Sequence, residues 1–312
     1  MDEFDPQASG SMSRATLLRR GASVVAAAGG AALLGGGVAD AADLFTSFAT
    51  DDSLKKLQQK GVARLGMTPA PPYCYTTSSG KPTGYENDQA QLILKRLGIH
   101  KVQAKVVDFA ALIPGLQAGR FDVCTGALYI KPQRCSAVLY AQPDIADLEA
   151  FMVKKGNPLG LRSYADVAKN SKARLGVIAG AAEHQYAQQA GVSDSQVQEY
   201  PDLPSALNAL SADRVDAVGF DNISMGHAIK SGKYAGKFTM TAPFTFPAGS
   251  RPTFAAMTFN HSAKSLRDAW NVELRKAQKA GDLVKLGAKY GIPAKSITVC
   301  YGVTTHSLGC KG

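Results

Sequence analysis

The sequence predicts an α/β fold in two lobes, each a parallel-rich sheet with helices on both faces, joined by two hinge crossings. Three observations carry this. From 62 to 125, apolar strand-like runs alternate with segments of helical period, in β-α-β-α-β order. A helix, a short turn with arginine and an x-Asp-apolar strand occur twice. One copy runs through Leu112, Leu116, Arg120, Phe121, Asp122 and Val123, the other through Leu207, Leu210, Arg214, Val215, Asp216 and Ala217. After Gly249 the chain adds a strand and a long amphipathic helix, which complete the first lobe.

The elements follow in order. Residues 53–60 (SLKKLQQK) form a short polar helix and 62–66 (VARLG) a first strand. In the next loop, MTPAPPYCY, the prolines exclude helix and hold the chain extended. Ser78-Ser79-Gly80 is a turn. Ala90, Leu92, Ile93 and Leu97 recur near helical spacing, so 88–97 is a helix stopped by Gly98. A strand over 102–107, a helix over 109–117 and a strand over 121–125 complete the run. The second lobe opens near Glu149, with a strand over 150–154, a helix over 164–169 and a strand over 174–178. Helices over 183–190 and 203–210 and a strand over 215–219 follow. The return comprises a strand over 253–259, a helix over 265–280 and a helix over 283–290, with an irregular tail beyond. Leu266, Ala269, Trp270, Leu274 and Ala277 make one apolar stripe on the longer helix. The expected divisions are 1–41 ahead of the fold, 42–148 and 251–312 in the first lobe, and 149–250 in the second. Crossings near 144–149 and 248–253 leave one soft degree of freedom between lobes.

Composition excludes several classes of function. The 312 residues are 45% hydrophobic and 19% charged, ordinary for a globular protein. The formal charge of +10 comes from scattered lysines and arginines with no basic-aromatic motif, so a solvated basic surface is expected and no nucleic-acid partner. His100, His184, His227, His261 and His306 do not cluster, and no Gly-x-Ser-x-Gly is present. Asp88, Asp122 and Asp216 read as structural, and no carboxylate pair is spaced for acid–base work. No catalytic residue, cofactor or metal is therefore expected. Ahead of the fold, Met12 begins an export signal: Arg14, Arg19 and Arg20, an apolar Gly/Ala-rich run over 21–38, then the small-x-small site Ala39-Asp40-Ala41. The arginine pair suits twin-arginine export, without the usual serine before it and phenylalanine after it. Cleavage near Ala41 would release the chain into the periplasm, which permits disulfides among Cys74, Cys124, Cys135, Cys300 and Cys310. Cys135 with Cys310 is the first candidate pair and Cys74 with Cys300 another, and the spacing leaves connectivity open.

The stretch 114–135, PGLQAGRFDVCTGALYIKPQRC, concentrates the chemistry. Its strand delivers Tyr129 and Arg134 to a carboxyl edge, where open α/β sheets hold small molecules. A guanidinium clamps a carboxylate with two parallel bonds. Tyr73 and Phe109 follow the first and second strands and bring two more rings to that edge, and aromatic faces attract cations. Asp221, after the last strand of the second lobe, can meet a cationic group or simply cap the helix that starts at Asn222. Gly180-Ala181-Ala182 at a helix start offers backbone N–H groups to an anion, or only tight packing. Together these suit a solute carrying both a carboxylate and a cationic group.

With those residues in view, the chain resembles the periplasmic solute-binding proteins of ABC importers, in the polar amino-acid class. PPYCY, GKPTGYENDQA, LIPGLQAGRFDV and KPQRC carry the resemblance, which covers 61–291. Within the class it is most similar to ectoine- and hydroxyectoine-binding proteins, on LIPGLQAGRFD, the cysteine of KPQRC, KKGNPLGL with SYADVA after it, and a C-terminal cysteine. The resemblance implies the two-lobe type II periplasmic binding protein fold, a monomer that closes on a small zwitterionic solute and delivers it to a cognate permease in the inner membrane. It places Arg134 on the solute carboxylate and Tyr73, Phe109 and Tyr129 around its cationic part. Ala182 falls where a small residue or threonine donates to the solute, and Asp221 where amino-acid binders place an ammonium partner. The chain departs from the ectoine binders at Ala70, Ala182 and Asp221, where they carry glutamate, threonine and proline, and at Gln133, where the class carries glutamate. The acid has moved from the first lobe to the second, which leaves ectoine-like compounds, amino acids and betaines as solute classes. Two rival readings are an enzyme on the same scaffold, such as a cyclohexadienyl dehydratase, and a soluble sensory protein that presents its ligand to a receptor.

Overall fold

A computed structural model describes residues 51–234 and 236–310. The export signal expected over 1–41 lies outside the described residues. Among the described residues, no helix is long and apolar enough to cross a membrane. The chain begins with α1 (Ser53–Lys60), β1 (Val62–Met67) and a small hairpin of β2 (Tyr75–Thr76) and β3 (Pro82–Thr83). Next come α2 (Tyr85–Arg96), β4 (Lys101–Val106), a 3-10 turn (Phe109–Ala111) leading into α3 (Leu112–Gln117), β5 (Val123–Cys124), α4 (Pro132–Cys135) and β6 (Leu139–Tyr140). After β7 (Ile145–Asp147) come β8 (Glu149–Lys154), α5 (Tyr164–Lys169), β9 (Leu175–Ile178), α6 (Glu183–Gln189) and β10 (Val197–Tyr200). Then α7 (Leu203–Ser211), β11 (Ala217–Asp221), α8 (Asn222–Lys230) and β12 (Phe238–Met240) lead to β13 (Thr253–Ala255) and β14 (Thr258–Phe259). The chain closes with α9 (Lys264–Lys279), α10 (Asp282–Lys289) and α11 (Ala294–Thr298).

Two five-stranded sheets form the frame, one ordered β4-β1-β5-β14-β6 and the other β10-β9-β11-β8-β12. They are built to one plan. In each, a central strand pairs in parallel on both sides, β1 with β4 and β5, β9 with β10 and β11. In each, the fourth strand is antiparallel, β14 against β5 and β8 against β11. That strand is the one delivered from the other half of the chain: β8 enters after β7, and β14 after β13. β7 and β13 pair with each other antiparallel, Ala146 opposite Phe254, so both passages between the sheets run side by side.

The doubling extends to side chains. The tetrapeptide Ala-Arg-Leu-Gly stands at 63–66 in β1 and again at 173–176 leading into β9. Arg64 donates through Nε and Nη2 to Asp122 at 3.1 and 2.8 Å, and Arg174 does the same to Asp216 at 3.0 and 2.9 Å. Each bidentate pair ties the start of a central strand to the start of the next parallel one. A Cβ at Gly66 would lie 2.4 Å from the Phe121 ring, so glycine there lets the helix-to-strand turn pack flat on the sheet. The structural reading of Asp122 and Asp216 therefore holds, and Asp88 likewise binds Lys289 at the end of α10 and Tyr290 just after it.

Several expected elements move. The strand expected over 253–259 splits, because Thr253–Ala255 pairs with β7 while Thr258 pairs with both β5 and β6. The strand expected over 215–219 begins two residues later, after Asp213 turns the chain with φ 61°. The proline loop does not stay extended. Ala70 and Cys74 exchange backbone bonds of 2.8 and 3.0 Å and close the prolines into a tight turn. The tail is partly helical, as α11. On α9 the expected stripe is buried at Leu266, Trp270, Leu274 and Ala277, and the Trp270 ring meets Phe259 edge-on at 5.3 Å.

Candidate functional site

Every candidate residue sits beyond the carboxyl edge of a parallel strand, and the two sheets turn those edges toward each other across one cleft. Tyr73 follows β1, Phe109 follows β4, Tyr129 follows β5, Ala182 follows β9, and Asp221 ends β11. Together with Arg134 they line one narrow cavity. Gly180 stands at its rim and meets the site through its carbonyl, which accepts from Arg134 Nη2 at 2.9 Å.

Local structure fixes the first half of the cleft. Gly84 has φ 111°, and a Cβ there would stand 2.4 Å from the Tyr73 carbonyl oxygen, so only glycine lets α2 begin so close to the turn that carries Tyr73. In the first turn of α2, the buried Glu86 accepts the N–H groups of Gly126 at 2.5 Å and Ala127 at 2.8 Å. Those bonds hold the loop after β5 in a left-handed bend, with Ala127 at φ 50°, and aim Tyr129 into the cleft. Tyr140 donates to the Tyr129 carbonyl at 2.9 Å. Arg134 donates to the same carbonyl at 3.2 Å and lies with Cζ 5.5 Å from the centre of the Phe109 ring. Its guanidinium thus bridges the two halves, from Tyr129 on one side to Gly180 on the other.

Asp221 takes the capping role. Its Oδ1 accepts from Ser224 N at 2.7 Å, capping α8, and lies 3.1 Å from the Tyr73 hydroxyl. That hydroxyl is also 2.7 Å from Oδ1 of Asp147, on the crossing strand β7. A phenol has one proton and can donate to one carboxylate only. The arrangement is satisfied when one of the two aspartates carries a proton. Burial raises the pKa of Asp147, with Asp221 adding repulsion, and burial raises that of Asp221 against its hydrogen bonds to Ser224.

The acids form the part of the site that sequence reasoning missed. These are Glu86, Asp144, Asp147, Glu149 and Glu183, each no more than 1% exposed. Glu149 accepts from Tyr164 at 2.8 Å and Tyr129 at 3.5 Å, and Asp144 from Gln89 at 2.6 Å. Burial pushes Glu86 and Glu183 up to about 7. A signal was available: Asp144, Asp147 and Glu149 crowd a six-residue stretch of otherwise apolar strand, where unpaired charge is not buried without a reason. Phe220, before Asp221, adds a ring to the wall. Among the described residues no cluster of metal-ligating side chains occurs.

Cys135, adjacent to Arg134, forms a disulfide with Cys310, Cα to Cα 5.4 Å, whereas Cys74, Cys124 and Cys300 are buried free thiols. The Cys74–Cys300 alternative is thus not adopted. The bridge closes a loop across 175 residues. Cys310→Ser is expected to cost about 2–5 kcal/mol, a drop in melting temperature of roughly 5–15 °C measurable by calorimetry with and without reductant.

The model of the bacterial extracellular solute-binding proteins, family 3, matches residues 63–293. A protein of Sinorhizobium fredii (strain NBRC 101917 / NGR234), "Probable amino-acid ABC transporter periplasmic-binding protein y4tE", is 31% identical over 87% of this chain and 91% of its own length. The crystal structure of EhuB in complex with hydroxyectoine superposes with a TM-score of 0.77 at 36% identity, covering 84% of this chain and 99% of EhuB. An ancestral arginine-binding protein bound to arginine superposes with a TM-score of 0.65 at 28% identity, covering 74% and 98%.

Proposed function

The chain belongs to the bacterial extracellular solute-binding proteins of family 3, and on that footing we propose that it captures a small zwitterion in the periplasm for an ABC importer, without chemistry of its own. The observation that carries the reading is the facing of Arg134 and Asp221 across one ring-lined cleft, a cation on one side and a carboxylate on the other. The solute carboxylate takes the Arg134 fork in place of the Tyr129 and Gly180 carbonyls. The solute's cationic group lies among Tyr73, Phe109 and Tyr129 and meets Asp221, and Ala182 gives it room. Residues 42–148 with 251–312 make one closing lobe and 149–250 the other. The paired strands β7 and β13 act as the hinge, and closure follows from contacts available only when both lobes hold the solute. The export signal ahead of Ala42 takes the twin-arginine route, and the protein meets its inner-membrane permease as a monomer.

Hydroxyectoine and arginine, the solutes of two neighbours, each combine a carboxylate with a delocalised cation. A thermal-shift screen of amino acids, betaines and ectoines tests the reading, since a ligand of the folded state raises the melting temperature by mass action. A rise of several degrees with one class is expected. No shift with any zwitterion, or turnover of prephenate or arogenate, would contradict it.

A further inference from the structure

Glu183 is the first residue of α6 and lines the same cleft as Arg134 and Asp221. It is 1% exposed, and its Oε2 is buried with no hydrogen-bond partner. The nearby cations are committed elsewhere. Arg134 donates to the Tyr129 and Gly180 carbonyls. Lys131 donates to Gln185 Oε1 at 2.9 Å, with its ammonium 4.2 Å from the centre of the Tyr186 ring. An acid at this depth with an idle oxygen is costly unless something binds it.

The charge balance of the cleft says what that is. Arg134 and Lys131 supply two positive charges. Glu183 and Asp221 on the wall and Asp147 and Glu149 behind it oppose them with four carboxyl groups, of which Asp147 and Asp221 share one proton around Tyr73, so three negative charges still exceed the two positive ones. A solute that brings its own carboxylate to Arg134 deepens the excess. One cationic group, held by Asp221, leaves Glu183 uncompensated; a second, placed apart from the first, satisfies it.

Building on the proposed capture of a zwitterion by Arg134 and Asp221, we infer that Glu183 selects solutes with a second, separate cationic group, that is, amino acids with a basic side chain. Asp221 meets the cation next to the carboxylate, and Glu183 meets the cation at the far end. Asp221 ends β11 and Glu183 begins α6, the helix that follows the neighbouring strand β9 of the same sheet, so their spacing is fixed before the solute arrives.

The test is calorimetric titration of the wild-type protein with L-arginine, L-citrulline and ectoine. Citrulline has the shape of arginine with a neutral end group. Arginine is expected to bind at least ~30-fold tighter than citrulline, the scale for truncating one partner of a buried charge pair. In Glu183→Gln the ratio is expected to fall to within ~3-fold, and a cooperative melting transition of the solute-free variant shows that it is folded. Should the variant not fold, the wild-type ratio decides. Equal wild-type affinities, an undiminished ratio in Glu183→Gln, or tight binding of ectoine alone would overturn the role of Glu183 and leave the zwitterion site standing. Failure of all three solutes and of every other zwitterion in the screen would bring down the zwitterion reading itself.

Discussion

Arg134→Ala is expected to abolish solute capture, weakening binding by ~100-fold or more. In the closed cleft the guanidinium holds two carbonyls, one from each half, and a carboxylate in their place gains a charge-assisted pair. Truncation removes that pair and leaves the solute's carboxylate facing Asp221, Glu183 and the acids behind them. Arg134→Lys keeps the charge but not the planar fork, and should fall between alanine and wild type. Calorimetric titration measures the loss, and the melting temperature of the solute-free variant checks that the fold survives. Wild-type affinity in Arg134→Ala would remove the residue from the site.

Asp221→Asn is expected to weaken solutes whose cation bears an N–H by ~10–100-fold, and quaternary ammonium solutes less, because only the former donate a hydrogen bond to the carboxylate. It should also flatten the pH dependence of binding. Burial raises Asp147, Glu149 and Asp221, and raises Glu183 to about 7. These groups face one another, with Tyr73, Glu86, Arg134 and Lys131 around them. A carboxyl raised in the folded state binds more protons there than in the unfolded chain. Stability from this source is therefore complete below the ordinary carboxylate range near ~4 and is lost as pH rises through about 7. The solute-free protein should melt at a higher temperature at pH 5 than at pH 8. A cationic solute takes the place of these protons, so its affinity should rise over the same interval with protons released. Titration in two buffers of different ionisation enthalpy counts them. Fewer protons should leave in Asp221→Asn than in wild type. An equal count, or tighter binding at pH 5, would contradict the coupling.

Much of the frame is legible in the sequence because its periodicity is local. Strand and helix runs, and the repeated Arg-x-Asp units at 120–122 and 214–216, declare two like halves without any knowledge of their packing. The rings and charges at strand ends are legible for the same reason: the carboxyl edge of a parallel strand is a position that sequence order alone identifies. The antiparallel strands β8 and β14 are harder to read, since each joins a sheet whose other strands lie far away in the chain. The acid cluster is hardest. Glu86 and Glu183 look like first-turn helix acids, which favour that position for the helix dipole alone, and only the folded chain shows them buried. Asp221 has an ordinary capping role that fully accounts for it locally, and its contact with Tyr73 spans 148 residues.

A crystal structure of the protein with the tightest-binding solute of the screen is the most direct measurement. The predicted result is a solute enclosed between the lobes, its carboxylate on the Arg134 guanidinium and a cationic nitrogen within hydrogen-bond distance of Asp221, with Tyr73, Phe109 and Tyr129 around it. A solute bound outside the cleft, or bound within it with its carboxylate away from Arg134, would contradict the account.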